Sequence, residues 1–116
     1  MYLPGSVYSF QDVTTTPTPL SVSNKVAYVC KGSSLLTFVL PTTSLAGFSF
    51  RVIGKTCNWQ VQQNAGQKMT IGLVTTTTGT AGNISSTSIT DQIEITCFVA
   101  DTEYECTQSL GNITVV

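Results

Sequence analysis

From Lys25 onward, short runs in which apolar and polar residues alternate are separated by Gly, Pro, Asn and Ser clusters. A period of two bounded by turn residues predicts strands, and no window carries the i, i+3, i+4, i+7 apolar stripe of a helix. The first candidate strand covers 26–30, and Lys31-Gly32-Ser33-Ser34 closes it. Residues 35–40 are apolar on both faces, which predicts a central buried strand ended by Pro41. In 48–53, Phe48, Phe50 and Val52 fall on one side and Ser49 and Arg51 on the other. Residues 59–62 set Trp59 and Val61 against Gln60 and Gln62, ahead of a turn at Asn64-Ala65-Gly66. A further strand is predicted over 68–74, then a Thr- and Gly-rich loop over 75–83, and a short last strand over 113–116.

The best-defined unit is a hairpin over 91–106. Ile93, Ile95, Cys97 and Val99 share one face, opposite Gln92, Glu94, Thr96 and Phe98. A two-residue turn at Asp101-Thr102 would set Val99 against Tyr104 and Cys97 against Cys106, gathering Glu94, Thr96, Glu103 and Glu105 on the other face. A one-residue slip would mix the apolar and acidic sets, which favours this register. Phe98 is then an aromatic on a polar side.

Before this domain, Thr14-Thr15-Thr16-Pro17-Thr18-Pro19 is too proline-punctuated for a central strand. Residues 1–25 are therefore expected to form an extended N-terminal arm, and 26–116 a single β domain. The fold class expected is all-β: a compact antiparallel sandwich or barrel of about eight short strands.

Composition narrows the function. The chain has 116 residues, of which 9% are charged, against roughly 25% in an ordinary soluble domain. The 20 Thr and 12 Ser make its polar surface one of hydroxyls and amides rather than ions. With 5 Lys+Arg against 6 Asp+Glu it lacks the basic footprint of a nucleic-acid binder. No apolar run is long enough to insert into a membrane. Met1-Tyr2-Leu3-Pro4-Gly5 has neither the positive nor the apolar region of a signal peptide. The absence of histidine removes Ser-His-Asp and Cys-His catalysis and the commonest zinc ligand.

The second half of the chain carries an ordered set of short motifs. They are Gly54-Lys55, Trp59-Gln60-Val61, Gln63-Asn64-Ala65-Gly66-Gln67, the Thr-rich 75–82 segment, Ser85-Ser86-Thr87, Asp91, Glu94, Cys97, Ala100-Asp101-Thr102, and the closing Gly111-Asn112-Ile113-Thr114-Val115-Val116. In this order they resemble a small C-terminal β module of phage tail-fibre-like and bacterial surface proteins. The Gln-Asn-Ala-Gly-Gln turn and the closing Gly-Asn-Ile-Thr-Val-Val are its most specific parts. Cys57-Asn58 stands where the module has small residues and glycine, and Tyr104 where tryptophan is more usual. The resemblance implies a trimeric, multivalent attachment context on a virion or extracellular surface fibre, and brings with it no binding residue.

Several residues are candidates for chemistry. Cys97 and Cys106 are placed either to form a cross-strand disulfide or to pack as free thiols; Cys30 and Cys57 are expected elsewhere in the fold. No Cys-x-x-Cys spacing exists, so no metal or other cofactor is expected. Asp101, Glu103 and Glu105 read as a solvated hairpin tip that discourages strand addition, rather than a cation site or a glycosidase pair. Phe98 and Trp59 are the candidates for contact with a ligand or another subunit. The expected function is non-enzymatic attachment to a host-surface glycan or protein receptor by a homotrimer. The alternative is a purely structural capsid- or fibre-decorating or trimerisation module with no receptor of its own.

Overall fold

The chain crosses back and forth between two β-sheets, as seen in a computed structural model that describes residues 7–17 and 19–116. The strands are β1 (Ser9–Val13), β2 (Leu20–Ser21), β3 (Val26–Cys30), β4 (Leu36–Val39), β5 (Ser49–Gly54), β6 (Trp59–Gln62), β7 (Lys68–Ile71), β8 (Val74–Thr75), β9 (Asn83–Ser86), β10 (Gln92–Val99), β11 (Glu103–Leu110) and β12 (Ile113–Val115). One sheet has the order β1-β3-β5-β10-β11-β7-β8 and the other β12-β9-β6-β4-β2. The expected all-β class holds, and no helix among the described residues is long and apolar enough to cross a membrane.

The antiparallel expectation is corrected. From β1 to β6, odd strands join the seven-stranded sheet and even strands the five-stranded one. Each strand therefore pairs with its next-but-one neighbour, which runs in the same direction. The ladders β1–β3, β3–β5, β2–β4 and β4–β6 are all parallel, as is β11–β7. The intervening strand in the opposite sheet serves as the crossover that a parallel pair requires. Antiparallel pairing prevails where consecutive strands stay in one sheet, as in β10–β11 and β7–β8. Both sheets are thus mixed, with twelve strands among the described residues rather than about eight.

The described residues of segment 1–25, read as an arm, contribute strands to both sheets and end in a turn at 24–25, with Lys25 at φ 60°. Its β1 is an edge strand beside β3, and β2 an edge strand beside β4. Val13 and Val22 are buried, and the Thr16 hydroxyl accepts the Thr37 N–H at 3.1 Å. Residues 1–6 and Thr18 lie outside the described residues.

A single core fills the space between the sheets. Tyr28, Phe50, Val52, Met69, Ile93, Ile95 and Tyr104 meet Leu36, Phe38, Trp59, Val61 and Ile84 there. The Tyr28 and Phe38 rings, one from each sheet, have centroids 5.3 Å apart in a tilted arrangement. The 35–40 run buries only one side: Leu36, Phe38 and Leu40 are buried, whereas Leu35 is exposed.

The β10–β11 register also differs from the expected one. The turn takes three residues, 100–102, with Asp101 in the left-handed region at φ 68°. Phe98 is then an extra residue on β10, between the pairs Cys97–Tyr104 and Val99–Glu103. The longer turn and the bulge each move the pairing by one residue, so Cys97 faces Tyr104 while Cys106 faces Ile95. All four cysteines are free thiols. A second irregularity leaves Thr107 as the extra residue on β11, between Cys106–Ile95 and Gln108–Glu94.

Candidate functional site

The outer face of the seven-stranded sheet carries the most organised polar surface. Ile93 and Ile95 point into the core, so Gln92 and Glu94 point out. Strand order sets β5 and β11 on either side of β10. Arg51, Glu94 and Gln108 thereby form one cross-strand row, and Ile53, Gln92 and Leu110 the next. These six side chains line a shallow depression of ≈ 50 Å³. The Thr107 bulge lies at its border, a position where bulges commonly re-aim side chains.

Glu94 is the centre of the bonding. Its Oε2 accepts Arg51 Nε at 3.1 Å and the Tyr8 hydroxyl at 2.7 Å. Its Oε1 accepts the Thr107 hydroxyl at 2.7 Å. Burial alone would raise the Glu94 pKa. The hydrogen bonds from Tyr8, Thr107 and Arg51, with the Arg51 charge, outweigh burial and hold it below the usual carboxylate value. Tyr8 shifts upward, chiefly through burial and further through the neighbouring carboxylate. The Arg51 guanidinium lies 4.8 Å from the centre of the Tyr8 ring and Lys25 Nζ 5.5 Å from it. Lys25 Nζ also donates to Ser49 Oγ at 2.9 Å, and Ser49 Oγ is 3.0 Å from the Tyr8 hydroxyl.

This bonding leaves Glu94 ionised with both oxygens engaged, so it is a fixed electrostatic anchor rather than a free base. Two amides remain uncommitted. Among the described residues the Gln92 side chain makes no hydrogen bond, and Gln108 uses only Oε1, 3.5 Å from Arg51 Nη2. The site therefore offers donors and acceptors between the apolar walls of Ile53 and Leu110, around a neutralised ion pair.

The residues singled out in the sequence lie elsewhere. Trp59 is fully buried, and its indole N–H donates to the Asp91 carbonyl at 2.9 Å. Phe98 is exposed on its bulge at the opposite end of β10 from Gln92, a separation of about 20 Å at the usual strand rise. Asp101 accepts the Ser44 N–H at 2.7 Å, and Glu103 lies 4.0 Å from Lys68 Nζ. Among the described residues no group of three or more Cys, Asp or Glu side chains is arranged to hold a metal ion.

The Gln-Asn-Ala-Gly-Gln motif is a turn, with Gly66 at φ 79°, and it is also a buried polar brace. Gln63 Nε2 donates to the carbonyls of Gln67, Thr77 and Gly79, while its Oε1 accepts the Thr76 hydroxyl. Gln67 Nε2 reaches the carbonyls of Pro41 and Asp101, and its Oε1 accepts the Asn64 N–H. These contacts tie the turn to the Thr-rich loop and to the β10–β11 connection.

Sequence reasoning put Arg51, Gln92 and Glu94 on outward faces through their alternation. Their meeting with Gln108 and Tyr8 depends on strand order and on the Thr107 bulge, neither of which leaves a periodic signal. Comparison with protein-family models and with curated proteins finds no match.

Proposed function

We propose that the chain is a non-enzymatic attachment module of a phage, virus or bacterial surface fibre, which presents a weak receptor site in several copies. The observation that carries this reading is the outer face of the seven-stranded sheet. There, two glutamine amides with unused hydrogen-bonding capacity flank a charge-compensated Arg51–Glu94 pair that is itself held in place by Tyr8 and Thr107. Such a surface suits neutral, hydroxyl-rich receptors better than ionic ones. A depression this shallow gives low affinity per copy, and multivalent display converts low affinity into avidity through effective concentration.

A homotrimer is the arrangement that the fibre-module resemblance implies. Exposed apolar residues at one end of the sandwich support association: Leu45, Phe98 and Val99. The 41–47 loop is held beside the hairpin there by Gly47 N–H to Cys97 O and by Ser44 N–H to Asp101 Oδ1. Removing such surface from water contributes about 25 cal/mol per Å².

The test compares beads densely coated with the protein and the free chain on an array of surface glycans. Retention of the beads, with much weaker retention of the free chain, is the expected result. Beads that bind no glycan and no host cell would overturn the reading, as would release of cleaved oligosaccharide.

A further inference from the structure

The outer-sheet depression has a chemistry more specific than attachment in general. We infer that it is a subsite for one neutral pyranose ring, the end residue of a surface glycan; this rests on the attachment reading above. A pyranose has an apolar C–H face and a rim of hydroxyls that both donate and accept. The depression presents both complements. Ile53 and Leu110 stand on either side of Gln92 in one cross-strand row, and Leu110 is 63% exposed. Arg51, Glu94 and Gln108 form the adjacent row. The planar Gln92 amide offers a donor and an acceptor side by side, which matches two neighbouring ring hydroxyls. Gln108 Nε2 and the guanidinium N–H groups not used by Glu94 add donors along the same rim.

Charge selects the sugar class. Arg51 and Glu94 neutralise one another at 3.1 Å, so a sugar carboxylate would have to compete with Glu94 for the guanidinium. A neutral ring meets no such competition. The site is also held in shape before binding, because Tyr8, Thr107 and Arg51 all fix Glu94. The side-chain ordering left to oppose association is that of Gln92 and Gln108.

The experiment is an amide-resolved NMR titration of the intact chain with methyl glucoside, galactoside, mannoside and N-acetylglucosaminide, with methyl glucuronide as the charged comparison. At least one neutral glycoside is expected to shift the side-chain amides of Gln92 and Gln108 and the Nε of Arg51. Gln92→Ala and Gln108→Ala should each weaken that binding by about tenfold, the loss of one hydrogen bond. Phe98→Ser should leave it unchanged. Bead adhesion to cells or glycans, measured on the same variants, separates the two readings. Adhesion that persists in Gln92→Ala and Gln108→Ala, with no glycoside shifting these residues, overturns the pyranose subsite and leaves attachment standing. Loss of both adhesion and titration in the unaltered protein overturns both. Preferred binding of the glucuronide overturns the neutral-sugar assignment.

Discussion

Glu94 lies directly across from Arg51 in the β5–β10 ladder, and its carboxylate is bound on both oxygens by side chains from three other segments of the chain. One outward-facing residue of β10 thus links the N-terminal segment, β5 and β11. The link depends on Glu94 being ionised.

That dependence predicts an acid-sensitive contribution to stability. The folded-state pKa of Glu94 is below its ordinary value. The unfolded chain therefore takes up the proton first, and the contribution is present above the unfolded pKa of about 4.3 and is lost as pH falls through the folded value. Thermal unfolding of the protein and of Glu94→Gln should show their difference shrinking on acidification below about pH 4. A difference that stays constant from neutral to acid pH would show that the ion pair and its hydrogen bonds add no charge-dependent stability.

The buried brace predicts a large penalty. Gln63→Ala removes an amide whose two N–H groups are shared among three carbonyls and whose oxygen accepts the Thr76 hydroxyl, at a position that is 3% exposed. Leaving buried partners unsatisfied costs about 1–3 kcal/mol for each group that water cannot reach. Urea unfolding should place the variant at least about 2 kcal/mol below the unaltered protein. A loss under 0.5 kcal/mol, an order-of-magnitude bound for ordinary surface changes, would mean that the brace is dispensable.

Gly54 predicts a steric effect rather than a polar one. A Cβ there would press on the backbone carbonyl oxygens of Ile89 and Asp91, the second at 2.8 Å. The Gly54 N–H also donates to that Asp91 carbonyl at 2.9 Å, so β5 and the 89–91 segment cannot move apart without losing the bond. Gly54→Ala should destabilise by about 1–3 kcal/mol, the usual range for overpacking, measurable in the same urea titrations. Unchanged stability would show that the 89–91 segment yields freely.

Thiol chemistry separates the observed hairpin register from the one expected on alternation alone. Cys97 faces Tyr104 and all four cysteines are free. Burial, with the neighbouring Cys57, pushes Cys30 up to about 12, so its thiol is almost wholly protonated near neutral pH. An aromatic disulfide reagent should label Cys30 only very slowly in the folded protein and all four cysteines promptly in denaturant. Non-reducing peptide mapping that found Cys97 joined to Cys106 would contradict the register.

The same hairpin shows what alternation can and cannot reveal. Alternation correctly set Ile93, Ile95 and Cys97 inward and Gln92 and Glu94 outward, because pleating acts residue by residue. It could not place Cys97 opposite a partner, since one extra turn residue and the Phe98 bulge shift the ladder without changing the pattern. Parallel pairing was hidden for a related reason: the residues of Val26–Cys30 and Ser49–Gly54 read the same whichever sheet receives the strand between them. Trp59, an aromatic amid glutamines, looked available to a ligand; only the Asp91 carbonyl arriving from another segment makes its burial favourable. Tyr8 and Gln108 carried no signal for their meeting near Glu94, which is a product of strand order.

The chain is expected to associate as a homotrimer. Light scattering coupled to size exclusion should report a mass near three times 12.3 kDa, and Phe98→Ser should lower it. A mass that stays at the single-chain value as concentration rises would remove the basis for multivalent display.

We propose that attachment runs through the outer face of β5, β10 and β11. The most direct test is adhesion of coated beads to a neutral-glycan array, comparing the unaltered protein with a Gln92→Ala/Gln108→Ala variant of equal thermal stability. Strong retention of the first and near-complete loss in the second are expected, because a small affinity change per copy is multiplied across many copies. Equal retention of both would contradict the proposal.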